Sequence, residues 1–164
     1  MRPALAKFLI KPTKFIPLKK LRGLTPPSTV LLQTDGSFKH QMQLSRTACI
    51  LGAKEGDYTL LNTYFEHRTS TESEWCSILD GIKFAIKKDQ GSIHLENDNQ
   101  GIINEITGSK KPPKLYYDYY NQIFKEIRVL DYIGMRWIPR EMNRADAIFS
   151  DACKGECATC DCKN

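Results

Sequence analysis

No acidic residue precedes Asp35 in this chain of 164 residues, whereas seven basic ones do: Arg2, Lys7, Lys11, Lys14, Lys19, Lys20 and Arg22. From Asp35 onward 17 basic and 19 acidic residues leave a slight negative excess, so the net charge of +5 originates in the N-terminal segment. An acid-free basic segment suits three roles: a tail that binds phosphate backbones by counterion release, a solvated leader, and an organellar targeting peptide. Prolines at 12, 17 and 26 and the shortage of serine count against the third. Also lacking is any apolar run near the roughly 20 residues that cross a bilayer. No clean apolar stretch at the N-terminus marks a secretory signal. The expectation is an intracellular protein with no membrane partner, in a reducing compartment. There is no internal repeat. Histidine is scarce, and His40, His67 and His94 fall outside the acidic motifs described below, so they are read as non-ligands.

Cysteine is present in two settings. Cys49 and Cys76 sit within apolar patterns and read as buried packing residues. Cys153, Cys157, Cys160 and Cys162 close the chain as C-x3-C-x2-C-x-C. Four thiolates suit a zinc ion. Against zinc, these four fall within ten residues, whereas structural zinc sites commonly join two separated knuckles; a reduced, unstructured tail is the other reading. The chain therefore divides into a basic tail (1–28), one folded domain (29–152) and a Cys-rich tail (153–164).

Within the domain the hydrophobic period changes along the chain. Thr29–Gln33 is β-branched and apolar, a buried strand that Gly36 and Ser37 are expected to break. Arg46–Ala53 and Tyr58–His67 read as strands joined by a turn at Lys54–Asp57. Trp75, Ile78, Leu79, Ile82, Ala85 and Ile86 then follow helical spacing. Thr71, three residues before Glu74, forms a capping-box pattern at the helix start, and Gln90-Gly91 ends the helix. Ser92–Glu96 is a strand, Gln100–Ile106 a helix, Leu115–Tyr132 a helix stopped by Gly134, Met135–Ile138 a strand and Arg144–Cys153 a final helix. A short helix near Ala4–Ile10 is the one element expected in the basic tail. This order predicts an α/β fold: a five-stranded mixed sheet, three antiparallel strands followed by parallel ones, with helices on its faces.

Four acids fall at element ends: Asp35 after the first strand, Glu74 in the first turn of the first long helix, Asp98 after the fourth strand and Asp146 in the first turn of the last helix. Each has a plain structural reading. Asp35 before Gly36 suits a turn, Glu74 a capping box, Asp98 a helix cap, and Asp146 the positive end of a helix. Taken together, in a sheet with helical crossovers, they point to one crevice. Carboxylates converging there repel one another unless cations neutralise them. Hard divalent ions suit such a set, and two of them can promote phosphodiester hydrolysis.

The motifs themselves resemble the type 1 ribonucleases H, most closely the reverse-transcriptase-like branch common in plants, archaea and retroelements. Thr34-Asp35-Gly36-Ser37 is similar to the family's T-D-G-S. Thr69–Trp75 is similar to its T-N-N-x-A-E-Y, which aligns the catalytic acid with Glu74 rather than Glu72. Gly81-Ile82 and Ala85 are similar to its G-L-x-x-A, and Asp98-Asn99-Gln100 to its D-S-Q. Ile138–Ala147 resembles its H-V-P-R-E-x-N-x-x-A-D-A. The likeness covers about Thr29 to Ala152. It implies a ribonuclease H-like fold, two magnesium or manganese ions on Asp35, Glu74, Asp98 and Asp146, and endonucleolytic cleavage of RNA paired to DNA. It also implies that Gly36, Ser37, Thr71, Gln100, Arg140 and Asn143 lie at the nucleic-acid surface, and that the partner is an RNA–DNA hybrid. The chain would act as a monomer or within a larger replication or ribonucleoprotein assembly.

Departures from the pattern are specific. One residue, Arg144, separates Asn143 from Ala145 where the family has two. Ser70 and Thr71 replace two asparagines. Arg140 occupies the loop where bacterial members carry a histidine. The bacterial basic protrusion is missing, with Lys110, Lys111 and Lys114 as a small substitute. Two other readings fit the same fold: a nucleic-acid-binding module that has lost cleavage, and another nuclease of the superfold.

Overall fold

The computed structural model describes residues 28–52, 58–108 and 110–156, with the backbone alone for residues 152–156. The expected helix at Ala4–Ile10, the turn at Lys54–Asp57 and Cys157, Cys160 and Cys162 lie outside the described residues, as does the side chain of Cys153. Among the described residues no helix is long and apolar enough to cross a membrane.

The elements run β1 (Val30–Lys39), β2 (Leu44–Leu51), β3 (Tyr58–Tyr64), α1 (Ser70–Lys87), β4 (Ser92–Asn97), α2 (Gln100–Ile106), α3 (Tyr117–Glu126), β5 (Tyr132–Trp137) and α4 (Asp146–Glu156). The sheet order is β3-β2-β1-β4-β5. The β1–β2 and β2–β3 pairs are antiparallel, and the β1–β4 and β4–β5 pairs are parallel. This is the mixed five-stranded sheet that the order of periods implies.

Strand alternation sorts the sheet into two unlike faces. Leu32, Ile93, Leu95, Ile133 and Met135 join Trp75, Ile78 and Ile82 of α1, Ile102, Ile103 and Ile106 of α2, and Ile123 of α3 in one apolar core. Each fully buried aliphatic side chain there contributes about 1.5–3 kcal/mol. Gln33, His94, Glu96, Tyr132 and Arg136 alternate to the other face, and they too are buried.

Several boundaries differ from expectation, each for a physical reason. β1 does not stop at Gly36: the antiparallel ladder continues with Gly36 opposite Thr47 and Ser37 opposite Arg46. Asp35 is therefore a mid-strand residue, opposite Ala48, and not a turn residue. The glycine answers a packing need, since a Cβ at Gly36 would lie 2.5 Å from the Ser73 carbonyl carbon. Thr69, not Thr71, caps α1: its hydroxyl accepts from the Glu72 N–H at 3.0 Å, and Glu72 Oε1 accepts from the Arg68 N–H at 2.8 Å. Glu74 thus lies beyond the first turn and is free of capping duty. α1 ends at Lys87, before Gln90-Gly91.

The expected Leu115–Tyr132 helix overruns the real one. α3 ends at Glu126, a 3-10 turn covers Ile127–Val129, and Tyr132 already belongs to β5. Ile127 and Leu130 remain buried, so the apolar spacing outlasts the helix that it mimics. Gly134 sits within β5 opposite His94, where a Cβ would come 2.8 Å from the Tyr132 hydroxyl.

Candidate active site

The β1–β4 parallel pairing ends at Gln33 opposite Glu96. Extending that register sets Asp35 beside Asp98 where the parallel pairing stops: β4 ends at Asn97, while β1 runs on to Lys39 against β2, and the carboxyl ends of parallel strands are where α/β sheets gather their sites. α1 comes close enough to add Glu74: one carboxylate oxygen from each of Asp35, Glu74 and Asp98 lies within 4.8 Å of the others. The close approach depends on the absent side chain of Gly36, whose N–H donates to Asp35 Oδ1 (3.0 Å) and to Glu74 Oε1 (3.3 Å). A second bare contact, Gly81 against the Thr34 methyl, seats α1 on β1 one helical stretch further along.

The loop bearing Asp98 is held by two asparagines. Asn97 Nδ2 donates to the Thr34 carbonyl (3.0 Å) and hydroxyl (2.9 Å), and its Oδ1 accepts the Asn99 N–H (2.8 Å). Asn99 Oδ1 accepts the Ile102 N–H at 3.1 Å, so Asn99 rather than Asp98 caps α2. Asp98 is left with its carboxylate toward the trio and its carbonyl accepting from the Trp137 indole at 3.0 Å.

The electrostatics are those of an uncompensated anion cluster. Burial, and next the charge of Asp98, push the Asp35 carboxyl up to about 7. Burial, with the charges of Asp35 and Asp98, holds Glu74 well above the usual carboxylate range. Asp98 is also raised, chiefly by burial, while the Asn143 amide and the Arg140 charge pull it the other way. Glu74 Oε2 is buried with no hydrogen-bond partner. A buried acceptor without a donor, within a set of oxygen ligands that resist ionising together, fits a divalent cation.

Asp146 stands outside the trio. It is the first residue of α4, where the helix dipole favours a negative charge. It still acts on the trio, its charge adding to the upward shifts of Asp35 and Asp98. Arg140 Nη2 lies 3.8 Å from Asp146 Oδ1, an open pair at the mouth of the site. Of the other residues singled out by the motifs, Ser37 shares a face of β1 with Asp35, Gln100 opens α2 and is exposed, and Thr71 lies one turn before Glu74. Asn143 is buried. Its Nδ2 donates to the Thr34 carbonyl (2.9 Å) and faces Asp98 Oδ2 (3.4 Å), and its Oδ1 accepts the Ala145 N–H (3.2 Å). No histidine belongs to the carboxylate cluster among the described residues. The motifs gave Gln33, Asn97 and Arg144 no role in the site. Gln33 and Asn97 are polar residues next to or near acids of β1 and β4, and Arg144 stands out only as the single residue between Asn143 and Ala145.

The profile of the reverse transcriptase-like family matches residues 33–153, most of the chain. The chain belongs to this family. Solved structures agree on the fold, which is that of the type 1 ribonucleases H. RNase H1 from the halophilic archaeon Halobacterium salinarum is 18% identical, with a TM-score of 0.69 over 77% of this chain and 98% of that one. The N-terminal RNase H domain of a Mycobacterium tuberculosis protein is 17% identical, with a TM-score of 0.68 over 77% and 94%. LC11-RNase H1, in complex with an RNA/DNA hybrid, is 15% identical, with a TM-score of 0.65 over 75% and 95%. A search of curated protein sequences found no match.

Proposed function

We propose that this member of the reverse transcriptase-like family is a metal-dependent endonuclease that hydrolyses the RNA strand of RNA–DNA hybrids. The observation that carries the reading is the carboxylate trio beside the end of the β1–β4 pairing, with Glu74 Oε2 buried and lacking a donor. The hybrid bound to a solved protein of the same fold supports the choice of substrate.

Asp35, Glu74 and Asp98 would hold divalent ions, with Asp146 as the fourth ligand at the open side; magnesium or manganese suits these oxygens. Such ions supply an activated water and stabilisation of charge on the leaving oxygen. The chain itself supplies orientation. The Gly36 N–H fixes both Asp35 and Glu74, while Asn97 and Asn143 fix the loop and carboxylate of Asp98. Asn143, buried and bonded to Thr34, Asp98 and Ala145, orients the Asp98 carboxylate. Exposed Arg140 and Gln100 would meet the phosphate backbone, and discrimination for RNA would rest on 2′-hydroxyl contacts in the wide minor groove.

The test is cleavage of a labelled RNA–DNA hybrid with magnesium or manganese, beside double-stranded RNA and DNA. Internal cuts confined to the hybrid's RNA strand, lost in Asp98→Asn, are expected. Hybrid binding without cutting by the wild type in either metal would replace this reading with that of a binding module. Asp146 standing outside the trio is the observation that favours such a module.

A further inference from the structure

The loop that leads into α4 has one residue fewer than the family motif, so the position of Asp146 needs an anchor of its own. Three consecutive loop residues are bonded to the two residues of β1 that precede Asp35. The Asn143 amide donates to the Thr34 carbonyl at 2.9 Å. Arg144 Nε and the Arg144 N–H both donate to Gln33 Oε1, at 2.8 and 3.3 Å. Gln33 Nε2 donates back to the Met142 carbonyl at 3.2 Å. Arg144 Nη2 also reaches the carbonyl of Gly52, beyond the end of β2.

The orientation of the Gln33 amide is forced. Its Nε2 also donates to Glu96 Oε1 at 2.9 Å, and Glu96 is held by Arg136 through Nε at 2.6 Å and through Nη2. A carboxylate only accepts, so it takes the NH2 side of the amide and leaves Oε1 for the guanidinium, which only donates. A glutamate at position 33 would repel Glu96, and an apolar residue would offer Arg144 nothing. Gln33 is 4% exposed, so this chemistry is decided inside the protein.

We infer that Arg144, oriented by Gln33, is a positioning residue that sets Asp146 against Asp35, Glu74 and Asp98 in place of the missing motif residue. The relay Arg136–Glu96–Gln33–Arg144, buried up to the half-buried Arg144, ties β5, β4 and β1 to the start of α4. Arg144 lies two residues before Asp146 and acts through the backbone between them. The inference rests on Asp146 being a metal ligand, as proposed above.

The test is calorimetric titration of the nucleic-acid-free protein with manganese, for wild type, Asp146→Asn, Arg144→Ala and the double variant, with thermal melts to confirm folding. Loss of an outer partner of a metal ligand commonly weakens metal affinity about 10- to 100-fold. Arg144→Ala is expected to weaken manganese binding about tenfold, as Asp146→Asn does, and the double variant no further, since both act on one ligand. Arg144→Lys, which retains the charge and can serve Gln33 or Gly52 but not both, falls between; if Arg144→Ala does not fold, this variant carries the same comparison. Wild-type affinity in folded Arg144→Ala, or summed losses in the double variant, would overturn the inference while leaving Asp146 a ligand. Wild-type affinity in Asp146→Asn would overturn the ligand reading, and the inference with it.

Discussion

Asp35 and Glu96 lie on the same face of the sheet, Glu96 opposite Gln33 and Asp35 two residues further along β1. They are equally hidden from solvent, at 5% and 4% exposure, yet their carboxyls move in opposite directions. Asp35 is pushed up to about 7, and Glu96 is drawn down to about 2. Burial pushes both upward. Around Glu96 it is more than offset by the nearby His94 ring (Nε2 3.7 Å from Oε2, beyond hydrogen-bond length), the Gln33 amide and the Arg136 guanidinium. Around Asp35 the neighbours are further carboxylates, and Gly36 and Glu74 compensate little. Depth alone therefore does not distinguish a reactive acid from a structural one; the sign of the surrounding charge does. At one position the protein supplies the counter-charge, and at the other it leaves the charge to be met from outside.

The largest effect that would sharpen this contrast is on cleavage. Asp35→Asn and Asp98→Asn should reduce hybrid cleavage to background while the far-ultraviolet circular dichroism stays that of the wild type. Next is stability at the compensated site: Arg136→Met removes the ion partner of a buried carboxylate and should cost about 3–5 kcal/mol in urea unfolding. A loss under 1 kcal/mol would mean that Glu96 does not depend on Arg136.

The pH dependences of the two sites run in opposite directions. The raised Asp35 carboxyl stays protonated in the folded state, so its stabilising contribution is complete below its ordinary value of 3.8 and is lost as pH rises toward about 7. The metal-free protein should lose several degrees of Tm across that range, Asp35→Asn should flatten the loss, and magnesium should raise Tm more at pH 8 than at pH 5. Glu96 contributes above its ordinary 4.5 and loses that contribution as pH falls to about 2, so Arg136→Met should soften the acid-side transition. The smallest effect belongs to a polar contact with no part in either cluster: Thr69→Ala removes the α1 cap and should cost about 1 kcal/mol, read from the urea midpoint.

Much of the architecture was legible along the chain because its signals are local. The apolar spacing from Trp75 to Ile86 marks α1, and the alternation before and after it marks the sheet. Where a signal had two meanings, packing chose between them. Gly36-Ser37 reads as a strand end until β2 supplies its ladder and α1 requires the missing Cβ. Ile127 and Leu130 continue the helical spacing of α3 because they face the same core, although the backbone has already left the helix. Thr71 and Glu74 imitate a capping box, whereas Thr69 caps α1 and Glu72 reaches back to the Arg68 N–H. The four acids stand out along the chain as candidates, whereas Gln33 and Arg144 do not, since the meaning of that pair lies in contacts 111 residues apart in sequence.

The sequence by itself determined the order of elements and the family, and it marked four acids as candidates, because hydrophobic period and motif spacing are properties of neighbouring residues. Which carboxylates converge was decided only in three dimensions. Asp35, Glu74 and Asp98 meet because a parallel strand pair ends at one level and a helix passes without an intervening side chain. The same packing decided that one buried acid is neutralised by an arginine from a neighbouring strand and another is not. Charge compensation depends on distance through space, which residue spacing along the chain does not encode.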